Sequence, residues 1–301
     1  MGVRVSASRH GGVVRARRWG PLVGALLALA ALSATPALSK PTRVVSMNLC
    51  ADQLLLLLAD RAHIASISYL AVDANASAMA EAARGLDINH GLAEEIIPLE
   101  PDLVLAGSLT TRPTVFLLRR LGYRVVELPV ASTFDDIRAN IRTVAEAIGE
   151  RERGESIVAS FDRNLASTTD SDGSRNPVAA LYWANGYSSG RGTLADVVAR
   201  AAGFRNLASE LGLAGTAQIP LETLLASKPD VLIVGRQRGG AAMAHEHLRH
   251  PAFRKAFADH PTVTLPNRLW VCGTPFVAEA VNRLQALRDG GSAVRQSGGE
   301  R

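Results

Sequence analysis

The run Asn185 to Gly192, NGYSSGRG, has the most chemically suggestive spacing in the chain. Gly186-Tyr187-Ser188-Ser189-Gly190 fits the G-x-S-x-G pattern of a nucleophile elbow. With Asp230 and His260 following in that order, a secreted α/β serine hydrolase using Ser188 is one reading. Two features oppose it. Asp230 stands before an apolar strand pattern, at the sheet edge opposite Ser188, and helical patterning resumes only at Thr193, whereas an elbow turns into its helix directly after the serine. The run therefore reads as a flexible loop facing a ligand, and no catalytic residue is assigned.

Other groups could bind rather than react. His245, His247 and His250 lie close together in AHEHLRH, but at helical spacing only His247 and His250 share a face, and no Cys or carboxylate set of zinc-like spacing accompanies them. No metal site is assigned. His90, beside Gly91, either contacts a ligand or is satisfied by backbone in a turn. Aromatic residues make up only 5% of the chain, yet Tyr69, Trp183, Tyr187 and Trp270 all follow or flank apolar runs, where their faces suit a bulky, partly apolar ligand. Trp183 fits a strand-end core position equally well. Arg191, between Gly190 and Gly192, can present a guanidinium to an acidic group.

These residues need a scaffold, and the pattern supplies one. Short apolar runs at 43–47, 63–68, 103–106 and 123–128 alternate with helical stretches at 49–59, 92–99 and 112–121, with a loop carrying a helical piece at 71–83. The alternation resumes with strands at 178–183, 231–234 and 262–265 and helices at 193–202, 221–226, 245–258 and 276–287. Such alternation implies mainly parallel sheets flanked by helices. One phrase is written twice. Glu94-EIIPLE-Pro101-Asp102-LVLAG and Glu222-TLLASK-Pro229-Asp230-VLIVG each read as a short helix opening on Glu, a Pro-Asp break and a buried strand ending in Gly.

Between the copies, Ile137, Ile141, Val144 and Ile148 form one apolar stripe capped by Ser132 or Thr133. A second helix follows Gly149, with Ile157, Phe161 and Leu165 on one face. The expected organisation is an N-terminal lobe at 40–149, a connecting helix at 150–168, a C-terminal lobe at 169–288 opening on the polar run TTDSDGSRNP, and an unstructured tail at 289–301. Ligands in parallel sheets sit beyond the carboxyl ends of the strands. That rule singles out Asn48, Cys50, Tyr69, His90, Tyr187, Arg191 and Trp270 as ligand contacts.

Charge and export signals narrow the class. The formal charge is +5, but residues 1–39 hold five arginines and no acid, so the remainder carries 28 basic and 28 acidic residues and has no general attraction for nucleic acid or anionic lipid. Those first residues read as a signal peptide, with a basic start, an apolar run from Pro21 to Leu32 and an exit at Ala37-Leu38-Ser39. The apolar run is shorter than the roughly 20 residues a spanning helix needs. The expected product is a soluble monomer outside the cytoplasm. A disulfide between Cys50 and Cys272 is allowed there, but both read as end-of-strand positions, one per lobe. A bridge would need Cα atoms within about 7 Å, leaving little room for a bulky ligand. Free thiols near the cleft are therefore expected.

RVVSMNLCADQLL, the two Glu-x6-Pro-Asp copies, the central helix, NGYSSGRGTLADVVARAAGFRNLA and HPAFRKAF…TVTLPNRLWVCGTPFVAEAVNRL together resemble the periplasmic substrate-binding proteins of iron-siderophore and cobalamin ABC importers. The resemblance covers nearly all of residues 42–288. It implies a non-enzymatic two-lobed receptor with one rigid connecting helix and no cofactor of its own. It also implies a metal chelate held between the lobes, foremost a ferric siderophore, with a corrinoid or haem also accommodated by the family, and delivery to an ABC permease dimer in the inner membrane. In such proteins one glutamate per lobe engages the permease. By spacing these are Glu94 and Glu222.

Overall fold

The computed structural model describes residues 40–110, 112–166, 176–235 and 261–290, with Gly2, Phe253, Lys255 and Phe257. The expected signal peptide apart from Gly2, most of the polar run after Ala166, His245, His247, His250, His260 and the tail beyond Gly290 lie outside the described residues.

Five strands form the first sheet: β1 (Val44–Ser46), β2 (Ile64–Ser68), β3 (Ile88–Asn89), β4 (Leu103–Gly107) and β5 (Val125–Leu128), all parallel, in the order β3-β2-β1-β4-β5. The second sheet contains β6 (Val178–Tyr182), β8 (Arg205–Asn206), β10 (Val231–Gly235) and β11 (Thr262–Leu265), also all parallel, in the order β11-β10-β6-β8. Between β6 and β8 in the chain, β7 (Tyr187–Ser189) pairs antiparallel with β9 (Thr216–Gln218). The chain is thus α/β with two lobes.

Alternation within each strand explains the continuous apolar runs. Val44, Leu103 and Leu105 enter one core cluster, while Val45 and Val104 enter another on the opposite face. In the second sheet Leu181 and Ile233 face the first cluster, and Tyr182 and Leu232 face a third. Both faces are buried, as parallel sheets require. The largest cluster does not stop at a lobe boundary, since it includes Leu54 and Leu58 with Ile233 and Val281.

Helices α1 (Leu49–Leu58), α2 (Ala93–Ile96) and α3 (Arg112–Arg120) serve the first sheet; α6 (Leu194–Ala201), α7 (Leu221–Ser227) and α8 (Val277–Arg288) serve the second. Between them stand α4 (Phe134–Ala147) and α5 (Arg151–Ala166). Thr133 and Asp136 form a capping box at the start of α4, and Ile137, Ile141 and Val144 bury its stripe. At its end Gly149 turns left-handed at φ 74°, with Glu150 N–H donating to the Ala145 carbonyl at 2.7 Å and Gly149 N–H to that of Glu146 at 3.2 Å. The chain then folds back so closely that a Cβ on Gly154 would lie 2.5 Å from that of Ala145. Within the stretch 150–168 expected as a connecting helix stands α5, which buries Val158, Phe161 and Leu165 and packs on α4 and α8.

The repeated phrase has one structure in both copies. Each short helix ends on a left-handed residue, Glu100 or Lys228, ahead of Pro-Asp. The aspartates then tie down the start of the neighbouring strand: Asp102 accepts from the Thr42 N–H at 2.7 Å and the Arg43 N–H at 3.1 Å, and Asp230 accepts from the Val178 N–H at 2.7 Å.

The turn expected around His90 and Gly91 is preceded by an edge strand, β3, whose last residue, Asn89, pairs with Ser68. Two expectations are corrected. The supposed flexible loop at 185–192 contains β7, whose ribbon partner lies far along the chain and left no local signature. Cys50 and Cys272 are not free thiols but a disulfide, with Cα atoms 5.2 Å apart across 222 residues of sequence. Cys272 is buried in the core and outside the cavity lining, so the bridge coexists with a cavity of about 1050 Å³.

Candidate functional site

A cavity of about 1050 Å³ lies beyond the carboxyl ends of the strands of both sheets. From the first lobe come Asn48 and Cys50 after β1, Gly107–Leu109 after β4, and Leu128–Ser132 after β5. The second lobe supplies Trp183 after β6, Ser189 of β7, Gly192–Ala195 leading into α6, and Asn267, Trp270, Val271 and Gly273 after β11. Asn75 and Ala76 reach in from the loop after β2.

Local structure fixes these groups. Asn48 caps α1, its side-chain oxygen accepting from the N–H groups of Cys50 at 3.0 Å and Ala51 at 3.4 Å. Its amide nitrogen would stand 2.9 Å from a Cβ on Gly107, so the close approach of α1 to the end of β4 requires glycine there. Trp183 donates its indole N–H to the Ser189 hydroxyl at 3.0 Å and meets Trp270 edge to face, ring centroids 5.1 Å apart. Asn140 of α4 donates to the Pro129 carbonyl at 3.0 Å and so holds the loop after β5.

Of the seven ligand contacts expected, Asn48, Cys50 and Trp270 line the cavity. Tyr69, His90, Tyr187 and Arg191 do not line it. Tyr69 stacks on His90 with ring centroids 5.2 Å apart, and His90 Nδ1 meets Glu95 at 2.9 Å, a bonded cluster at an exposed position of the first lobe. The His90 backbone N–H and ring hold the Glu95 carboxyl below its usual range. Arg191 turns its guanidinium to the Gly212 carbonyl at 3.2 Å. Tyr187 is exposed on the ribbon. The lining at 107–109 and 128–132 escaped the sequence reading, although both segments follow strands; applying the end-of-strand rule to β4 and β5 finds them.

The hydrolase arrangement is not assembled. Ser188 is buried and does not line the cavity. Asp230 binds the first residue of β6, whereas Ser188 follows the last. Among the described residues no group of three His, Cys, Asp or Glu could hold a metal ion, and no helix is long and apolar enough to cross a membrane.

Beneath the cavity wall, Asp52 of α1 is fully buried and accepts from the Ser68 N–H at 3.1 Å and from the Ser68 hydroxyl. Burial pushes its carboxyl up to about 7 against the hydrogen bonds from Ser68. The pair ties α1 to the end of β2.

Glu94 and Glu222 are exposed in the first turns of α2 and α7. Each helix starts from the carboxyl edge of its sheet: α2 follows β3 after a short turn, and the residues entering α7 pass beside the end of β6, where Ile219 N–H donates to the Gly186 carbonyl.

The model of the family described as periplasmic binding protein matches residues 44–267. The chain belongs to the periplasmic binding protein family. This periplasmic binding protein is 25% identical over 201 residues to a cobalamin-binding protein of Halobacterium salinarum, a match covering 65% of this chain and 54% of that protein. It thus spans about half the length of the curated relatives it matches. Among solved structures it shares its fold with a periplasmic heme-binding protein from Pseudomonas aeruginosa, at a TM-score of 0.69 and 21% identity, covering 82% of this chain and 92% of that one. The vitamin B12 binding protein BtuF of Vibrio cholerae gives a TM-score of 0.64 at 17% identity, covering 84% and 98%.

Proposed function

We propose that this periplasmic binding protein is a receptor in the periplasm that captures a metal chelate between its lobes and delivers it to an ABC permease of the inner membrane. One observation carries the choice of ligand class: among the described residues, no Asp, Glu, Lys, Arg, His or Tyr lines the cavity. The lining instead presents apolar side chains, two indoles, and the amides of Asn48, Asn75, Asn140 and Asn267. The described part of this wall offers hydrogen bonds to neutral amide and carbonyl groups, with neither an axial ligand for an open metal nor a cation for a carboxylate among the described residues. It favours a chelate whose metal is already saturated and whose rim is amide-rich. A corrinoid meets both conditions, and a neutral ferric hydroxamate meets the first. A volume of about 1050 Å³ lies at the upper end for small-molecule sites and suits a ligand of that bulk. The cobalamin-binding relatives support the same choice.

After residue 39 the chain has two tryptophans, Trp183 and Trp270, and both line the cavity. Titration with cyanocobalamin should therefore quench most of the tryptophan emission saturably, and a neutral ferric hydroxamate should act similarly if it binds. Tight haemin binding with an axial-ligand absorption spectrum, and no response to the saturated chelates, would overturn this reading.

A further inference from the structure

The segment Trp270–Thr274 belongs to the second lobe by sequence, between β11 and α8, but is fixed to the first lobe in two independent ways. Cys272, 2% exposed, is bonded to Cys50, which sits in the first turn of α1 and lines the cavity. The neighbouring Gly273 is pressed against the first lobe without clearance: a Cβ there would fall 2.2 Å from that of Ala131 and 3.2 Å from Cγ1 of Ile137. On its other side the segment carries Trp270, which packs on Trp183, the residue after β6. Trp270, Val271 and Gly273 all line the cavity.

We infer that the Cys50–Cys272 disulfide is a positioning pair, which holds this segment as a fixed floor shared by the two lobes and so presets the gap that the chelate must fill. Two anchors of different kinds act together. The bridge supplies a covalent limit on separation, and the Gly273 contact supplies close packing that any larger side chain would break. Cys50 is itself held by the capped start of α1, so the bridge ends on a rigid helix. A loop kept in its binding conformation loses less entropy when the ligand arrives, and affinity rises accordingly. In the reduced protein only the glycine contact would remain, and the segment would be held less firmly. The bridge requires an oxidising compartment. The consequence for affinity rests on the chelate-receptor reading; the positioning role does not.

The test compares the oxidised protein with Cys50→Ser/Cys272→Ser and with Gly273→Val, all at a temperature where circular dichroism reports native folding. Without ligand, hydrogen exchange of the backbone amides from Val271 to Thr274 should accelerate by about tenfold or more in both variants. With cyanocobalamin, the dissociation constant of each should rise by about tenfold. Reducing the wild-type protein with a phosphine should reproduce the double-serine result, and reoxidation should restore it. A lowered melting temperature with unchanged exchange and unchanged affinity would reduce the bridge to a stabilising crosslink and overturn the proposal. Faster exchange with unchanged affinity would overturn its effect on the gap. If the oxidised protein binds no cobalamin, the ligand reading fails, and the exchange measurement alone decides whether the pair positions the floor.

Discussion

Glu100 and Lys228 hold the same left-handed backbone, both at φ 44°, each directly before a Pro-Asp pair whose carboxylate tethers the neighbouring strand. The equivalence makes the repeated phrase a structural unit: a helix descending from the ligand edge, a strained reversal, and a strand returning. A residue with a Cβ loses about 1 kcal/mol in this conformation, whereas glycine adopts it freely. Glu100→Gly and Lys228→Gly should each raise stability by roughly 0.5–1 kcal/mol, read as a higher denaturant midpoint at constant slope. A lower midpoint would mean that the side chains contribute more than the backbone conformation costs.

Glu94 and Glu222 open the helices of the two copies and stand exposed at the ligand edges of their lobes. Neither forms an ion pair among the described residues. One carboxylate per lobe is an arrangement that two permease subunits could each meet with a basic patch. Glu94→Lys with Glu222→Lys should leave chelate affinity within a few fold while abolishing permease association and transport. Loss of chelate binding with intact association would move the glutamates into capture.

The Asp52 carboxyl, raised by burial to about 7, makes stability depend on pH in a direction opposite to that of most carboxylates. Between its ordinary value of 3.8 and about 7 the folded protein holds a proton that the unfolded chain has released. Stability from this group is therefore full below pH 3.8 and declines until the folded carboxyl has ionised near pH 7. Asp52→Asn should flatten that segment of the profile and leave the protein more stable than wild type at pH 8, by up to a few kcal/mol. An unchanged slope from pH 4 to 7 in denaturant titrations would show that another group sets it.

The apolar cluster that spans both sheets argues against large lobe closure, since hinge motion would have to part a continuous core that holds Leu54 on one side and Val281 on the other. Small-angle scattering with and without bound chelate should give nearly the same radius of gyration. A contraction of the size seen in hinge-closing receptors would refute this.

Much of this was legible before the coordinates. β1, β4, β6 and β10 are buried on both faces, so each shows as an unbroken apolar run, and the Thr133 cap with the Ile137-Ile141-Val144 stripe marked α4. What escaped depends on partners remote in sequence. Tyr187–Ser189 is short, polar and flanked by glycines, and only its pairing with Thr216–Gln218 makes it a strand. β3 and β8 have two residues each and little pattern to detect. At the site, Asn48, Cys50 and Trp270 followed from the end-of-strand rule. Tyr69, His90, Tyr187 and Arg191 obeyed the same rule, yet a strand end has depth as well as an edge, and linear order does not say whether a side chain faces the cleft floor or the outer surface. The cysteines were misread for the same reason. A bridge across the middle of the cleft would have blocked a bulky ligand, but Cys272 is buried and outside the cavity lining, and only Cys50 lines it.

The core that both sheets share also bears on unloading. When the binding-competent shape is the ground state, no fraction of the population is withheld from the ligand, and the apparent dissociation constant equals the intrinsic one. For the proposed chelate the same economy would remove a route of escape, because opening the lobes would have to expose the apolar cluster that they share. Under the proposed function, dwell time in the cleft would then be set by contacts with the chelate itself, and quick release would require a docked permease to distort the rims or compete for the ligand. A receptor of the proposed kind with this construction would store well and release poorly on its own, and transport rate would become a property of its complex with the permease.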